Sequence, residues 1–411
     1  MSKNKFEQIV ALLGVPLFFL PKVNLISFAG ESAGLRVDDV IILLICLFIF
    51  IIAHRDNPKK IVFGAIIYIL VCIISNFLNI ILFHRSNFLY SVRFIEYYAF
   101  FYVGYFYAKR YKIITLVKWY LLISAVVMVL QKLELLGGFS SEGYVETSAY
   151  RAIGLTGGPW EVGAILNFVF CILIFDESKD TKPYKALLWF AVTFVLILFT
   201  GARMPTVAHL LLLLIYFYRR SSNKLIFMVS SLSFCLVVFV IFVSIPNPVL
   251  ERSEKTFSYD NIDQFAMYYK SVDIHKEYDP YSNYVFSEDS DLSWLVRVSK
   301  WSFAIKLWIN TPLAWFFGVG PGTWGAALDG GWVRLITETG MLGLITFLRL
   351  FREVAKPSLV MGPIIVAFFI SMIMIDINFA YKAMSFLLFT AGYYSSIKNL
   401  NYELNSSVNG S

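Results

Sequence analysis

Three arginines stand at places where a merely solvated cation has no obvious task. Arg203 lies in FTGARMPTVAH, between two apolar runs that leave almost no room for a connection; Arg151 lies in YRAIGLTGGPWEVGA and Arg297 in DLSWLVRVSKWSF. A guanidinium is a planar fork that grips oxyanions through two parallel hydrogen bonds, so three of them converging on one cavity suit a phosphorylated or diphosphate ligand. If that phosphate leaves during a reaction, the same groups can carry the charge that departs with it. Candidate proton acceptors are Asp329 and Glu338, with Glu161, Glu288, Asp289 and Asp291 behind them. No His/Cys/acid cluster has metal-ligand spacing, and no metal or other cofactor is expected.

Two readings stand for Arg203. A charge near membrane depth costs about 2.5–3.5 kcal/mol on insertion scales unless it faces a polar cavity or a partner, or it can snorkel to the interface. Arg297 sits in a different context. Trp294, Trp301 and Trp308 recur every seven residues, with Val298, Ile305 and Ile309 on the same face, so 292–310 reads as an amphipathic helix lying on a membrane interface. The tryptophan stripe is expected to anchor that helix. On the helical wheel Arg297 borders the stripe, whereas Lys306 points away.

These residues are carried by an apolar chain. Of 411 residues, 58% are hydrophobic and 15% charged, with a mean hydropathy of +0.68. Runs near twenty residues long predict an all-α, polytopic integral membrane protein; the alternating pattern of a lipid-facing β-barrel is missing. The net charge of +7 is spread over loops, so it reports orientation in a membrane, and no nucleic-acid partner is expected. All four cysteines fall inside apolar runs and predict no disulfide framework.

About twelve spans are expected, near 9–28, 39–53, 61–83, 88–108, 113–131, 161–175, 186–201, 204–218, 225–245, 332–348, 359–377 and 383–397. With the N-terminus in the cytoplasm, every inside segment is basic, from Lys3 and Lys5 through Lys109, Arg110 and Lys112 to Lys398. The outside stretch ESAGLRVDD carries one Arg against three acids. Both termini are therefore expected inside, and residues 246–331 form one large extracytoplasmic loop in a single transmembrane domain, 1–411. Long loops in compact folds are uncommon unless functional. Gly318-Val319-Gly320-Pro321-Gly322 has a Pro in its middle and reads as a membrane-adjacent turn, not a nucleotide loop.

NLISFAGESAGLRVDDVIILL at 24–44, R-x-x-G-L-T-G-G-P-W-E-V-G-A at 151–164, T-G-A-R at 200–203 and G-x-G-P-G-x-W…D-G-G-W-x-R-L-x-x-E-x-G-x-x-G at 318–343 together resemble the O-antigen polymerase and ligase superfamily. The resemblance spans most of the chain in order. It implies a metal-independent GT-C-like glycosyltransferase of the bacterial inner membrane, working on its periplasmic face in surface-polysaccharide biosynthesis with an undecaprenyl-diphosphate-linked oligosaccharide as donor. By motif, Arg203 and Arg297 would engage the diphosphate and Asp329 would serve catalysis. Arg151, Trp160, Glu161, Arg334 and Glu338 would contact substrate.

Ligases of the superfamily carry a His-Asn pair before the final span, where this chain has Asp329-Gly330, and no histidine follows His275. The resemblance therefore favours the polymerase branch, which joins repeat units; membrane lipid and a chain-length regulator membrane protein are the partners it implies. Transfer of finished glycan to a lipid or protein acceptor is one alternative. A flippase or exporter of lipid-linked oligosaccharide, which needs a cationic cavity but no proton acceptor, is the other.

Overall fold

The computed structural model describes residues 3–20, 24–27, 34–52, 59–83, 88–140, 143–145, 151–176, 182–224, 259–275, 292–325 and 328–409, with a few positions between 229 and 240. The ninth expected span, 225–245, lies mostly outside the described residues. Loop residues 246–258 and 276–291, with Glu288, Asp289 and Asp291, lie wholly outside them.

Helices occupy the apolar runs. They are α1 (Lys3–Gly14), α2 (Val37–Ile52), α3 (Lys59–Phe83), α4 (Phe88–Tyr107), α5 (Ile113–Lys132), α6 (Pro159–Phe175), α7 (Pro183–Thr200) and α8 (Arg203–Arg220). The loop region adds α9 (Tyr259–Ser271), α10 (Leu292–Asn310) and α11 (Pro312–Phe317), and the chain closes with α12 (Gly331–Ala355), α13 (Met361–Ser371) and α14 (Tyr381–Asn409). Two short antiparallel hairpins interrupt the all-α expectation: β1 (Asn24–Ser27) with β2 (Gly34–Arg36), and β3 (Gly138–Ser140) with β4 (Gly143–Val145).

Among the described residues, three helical stretches are long and apolar enough to cross a membrane: Lys60–Ile81, Ile113–Lys132 and Pro183–Thr200. The first is built inside out relative to a soluble helix. Phe63, Ile66, Leu70, Ile74, Phe77 and Ile81, three or four residues apart, are exposed along one face, while Ser75, Asn76 and Asn79 are buried on another. Water would penalise that arrangement and lipid would not, because in a bilayer the polar groups must find partners inside the protein. Two of them find partners at the glycine-rich turn, where Ser75 Oγ donates to the Phe317 carbonyl and Asn79 Nδ2 to the Val319 carbonyl and, at 2.7 Å, to Thr323 Oγ1, while Asn76 Nδ2 donates to Ser91 Oγ of α4.

Three expected spans are corrected. The first does not run as one helix from 9 to 28: α1 ends at Gly14, a 3-10 turn covers Val15–Phe18, and Asn24–Ser27 belong to a hairpin. Pro16 and Pro21 explain this, because each removes a backbone donor that a continuing helix would use. The span near 359–377 is helical only over Met361–Ser371. The helix over 332–348 runs longer, to Ala355, but is broken at Gly340 (φ 65°, ψ −169°). The break is required by close approach. A Cβ on Gly340 would lie 2.4 Å from the Phe316 carbonyl, and one on Gly318 (φ 75°) would lie 2.2 Å from that of Glu338, so the end of α11 meets the break backbone against backbone.

The main core is aromatic. Phe18 touches Phe100 of α4 and both Phe386 and Phe389 of α14, each with ring centroids 5.3 Å apart. A smaller core under the loop gathers Val272, Phe303, Leu307, Val319 and Trp324. The loop elements α9 to α11 are thus folded onto the bundle beside α12.

Candidate active site

Arg203 opens α8. The connection from α7 is two residues long, with Gly201 left-handed (φ 59°) and Ala202 at the helix N-cap. The turn is held from below, because Asn167 Nδ2 donates to the Pro205 carbonyl at 2.9 Å while its Oδ1 lies 2.8 Å from His209 Nδ1. Arg151 comes to the same turn. Its Nε donates to the Thr200 carbonyl at 3.1 Å, and the N–H of Ala152 donates to the Phe199 carbonyl at 2.9 Å. These carbonyls end α7 and lack helical partners, so a cation placed there also meets the negative end of the helix dipole. Two of the three expected arginines therefore share one turn.

The amphipathic helix has the limits read from the sequence, Leu292–Asn310. Its tryptophans also make contacts within the protein. Trp301 Nε1 donates to the Leu328 carbonyl at 3.1 Å, Trp308 Nε1 to the Ala314 carbonyl at 2.8 Å, and Trp294 packs edge-on against Trp301 with centroids 6.0 Å apart. The indoles pin α10 to the 314–328 segment. Lys306 points away from this face, as expected, and donates to the carbonyls of Val272 (2.6 Å) and Lys270 (3.2 Å).

On the bundle side of α10, Arg297 Nε stands 4.0 Å from Asp329 Oδ2, with the two side chains 21% and 36% exposed. Asp329 has φ 61°, the left-handed region that a residue with a Cβ rarely enters. Burial pushes its carboxyl above the ordinary value of 3.8; Arg297 pulls it back down, Asp376 raises it, and Lys300 and Arg334 lower it. Lys300, one helical turn from Arg297, is itself buried, and burial lowers its pKa. The pair thus combines an oxyanion-binding cation with a carboxylate on one partly open surface.

Arg334 faces the other way. It is fully buried, and its guanidinium is held by protein groups: Nε donates to Glu338 Oε1 at 3.1 Å, Nη1 to Asp376 Oδ2 at 2.9 Å and Nη2 to the Gly325 carbonyl at 2.8 Å, with the Phe379 ring 4.0 Å from Cζ. Glu338 Oε1 also accepts the Gly322 N–H at 3.1 Å. These two residues tie the glycine-rich turn to α12, placing them beneath the Arg297–Asp329 surface.

Glu161 likewise receives backbone donors. Oε2 accepts the Gly157 N–H at 3.2 Å, and Oε1 accepts the N–H groups of Lys382 (2.9 Å) and Ala383 (3.3 Å) at the start of α14. Trp160, half-buried beside it, covers Gly158. The segment 376–383 therefore touches both regions: Asp376 reaches the loop end, and residues 382 and 383 reach the 157–161 turn.

Sequence reading missed Asp376 and Lys300. Both had a signal, since Asp376 is an acid inside an apolar run and Lys300 follows Arg297 by three residues on one helix. Comparison with known protein families and with curated proteins finds no match for this chain. The site is thus described by its own geometry: arginines at a two-residue turn, and an arginine–carboxylate pair above a buried ionic network, all within a helical chain with stretches long and apolar enough to cross a membrane.

Proposed function

We propose that the chain is a membrane glycosyltransferase that joins polyprenyl-diphosphate-linked oligosaccharide repeat units, as an O-antigen polymerase does, on the outer face of the bacterial inner membrane. The observation that carries this reading is the pair Arg297–Asp329, with Nε and Oδ2 4.0 Å apart. A cation and a base at that separation hold each other until an anion arrives. A diphosphate that engages Arg297 would compete with Asp329 for the guanidinium and leave the carboxylate available to accept a proton.

In the proposed reaction the acceptor sugar hydroxyl attacks the anomeric carbon of the growing chain. A glycosidic C–O bond forms as the C–O bond to the diphosphate breaks, and the lipid diphosphate leaves with the electron pair. Asp329 takes the hydroxyl proton, while Arg297 and the Arg203 turn, with Arg151, stabilise the departing charge. The arrangement of about twelve spans, with 246–331 outside and both termini in the cytoplasm, belongs to the same reading. So does GT-C-like organisation.

The test uses purified protein in lipid with lipid-linked repeat units as the only sugar substrate. A polymerase makes a ladder of chain lengths. A ligase leaves single units until a lipid or protein acceptor is added, and a flippase moves units across the bilayer without making a bond. Either of the latter results overturns the proposal.

A further inference from the structure

Asp376 gathers an unusual set of donors. Its Oδ2 accepts the N–H groups of Leu328 (2.6 Å) and Asp329 (3.2 Å) together with Nη1 of Arg334 (2.9 Å), and Oδ1 accepts the N–H of Gly330 (2.9 Å). Three successive backbone donors converging on one carboxylate form a concavity of the kind that binds anions, here filled by a side chain of the same protein. The turn is fixed from its other sides as well. Trp301 holds the Leu328 carbonyl, and the N–H groups of Gly331 and Trp332 donate to the carbonyls of Ile375 (3.1 Å) and Met372 (3.2 Å).

The residue inside this clamp is the one with left-handed backbone, Asp329. Glycine would adopt φ 61° without strain, so an acid there is conformationally expensive unless its side chain is used. With its N–H and both neighbours' N–H groups held by Asp376, the carboxylate of Asp329 is turned to the partly open side, toward Arg297.

We propose that Asp376 is the positioning residue for Asp329: by clamping three successive N–H groups of the 328–330 turn, and being itself braced by Arg334, it sets the direction in which the Asp329 carboxylate meets the acceptor hydroxyl. The inference rests on the glycosyltransferase reading. Its electrical side is open to measurement too, because among the described residues Asp376 raises the pKa of the Asp329 carboxyl, against Arg297 and Lys300 on α10 and Arg334 on α12, which lower it.

The experiment compares Asp329→Gly, Asp376→Asn, Asp376→Glu and the double variant Asp329→Gly/Asp376→Asn in purified, lipid-reconstituted full-length protein. Asp329→Gly relieves the backbone and deletes the carboxylate, and turnover should fall about 100-fold or more, the scale of a lost general base. Asp376→Asn should lower kcat about tenfold or more with KM for the donor little changed, and the double variant should be no slower than Asp329→Gly alone, since residues acting as a unit are not additive. Asp376→Glu keeps the charge but moves it by a methylene, and should fall between wild type and Asp376→Asn.

An infrared titration supplies a readout without turnover: the carboxyl signal lost in Asp329→Asn should titrate at lower pH in Asp376→Asn than in wild type, because a neighbouring negative charge has gone. If Asp376→Asn only lowers thermal stability, leaving kcat and that titration as in wild type, the proposal is wrong. It is equally wrong if the double variant multiplies the two defects. If wild type makes no glycosidic bond while the titration still shifts, the glycosyltransferase reading has failed, and the coupling of Asp376 to Asp329 survives apart from it.

Discussion

Gly104 of α4 and Gly392 of α14 are reciprocal. A Cβ on Gly104 would lie 1.9 Å from the carbonyl oxygen of Phe389, and one on Gly392 would lie 1.8 Å from that of Phe101, each carbonyl three residues before the opposite glycine. The two helices therefore touch backbone to backbone, the close approach that small residues allow between helices in a membrane. Gly392→Ala must push α14 off α4, and a cost of about 1–3 kcal/mol is expected from overpacking. A thermal melt of the detergent-solubilised protein should show a clear drop, and Gly104→Ala should match it. A melt unchanged in both would mean that the helices are not in this contact.

Arg203 separates two kinds of arginine. A residue that only snorkels keeps its function as lysine, whereas a fork that holds two diphosphate oxygens loses its bidentate geometry. Arg203→Lys should then lose roughly 2–4 kcal/mol of leaving-group stabilisation, about thirty- to a thousand-fold in turnover. Lys306→Ala, on the face of α10 that bonds to the Lys270 and Val272 carbonyls, should cost turnover little. Polymer yield at equal expression reads both, and the reverse order of effects would put the site on the wrong residues.

The helices were legible because hydrophobic periodicity is a local signal: α10 over 292–310 and the two-residue turn before Arg203 needed only residue spacing. The inward role of Arg334 was not. Its motif neighbour Glu338 stands four residues along the same helix, but its other ion-pair partner, Asp376, lies 42 residues on, and only the packing of α12 against the segment after α13 brings the two acids to one guanidinium. The protein contacts of the tryptophan stripe were not legible for a related reason. Indole N–H groups suit a membrane interface and a protein carbonyl equally well, and the carbonyls of Leu328 and Ala314 come into reach only once the loop folds back.

The pH dependence follows from the surroundings of Asp329. Burial raises its pKa, so its proton-accepting form is reached only at higher pH than for a free carboxylate, and kcat/KM should rise with pH through that displaced value. Arg297 acts in the opposite sense by favouring the ionised form. Arg297→Gln should therefore move the acid limb to higher pH, in addition to slowing turnover. Profiles from about pH 4 to 9 decide it; a limb that stays in place or moves down would remove Asp329 from the role of base.

Orientation is tested by reporter fusions. Those placed after Lys112, Lys185 and Lys224 should read cytoplasmic, since basic segments stay inside, and those near Ser140 and Asp260 should read external. A cytoplasmic signal at Asp260 would put the Arg297–Asp329 surface on the cytoplasmic side and contradict the proposed orientation.

Glycosyl transfer is measured most directly as release of undecaprenyl diphosphate from purified lipid-linked repeat units in excess EDTA. Arginines that carry the leaving charge need no divalent ion, so one lipid diphosphate should be released for each new glycosidic bond, at a rate unaffected by the chelator and lost in Asp329→Asn. No release from the wild-type protein, or release restored only by added Mg²⁺ or Mn²⁺, would contradict it.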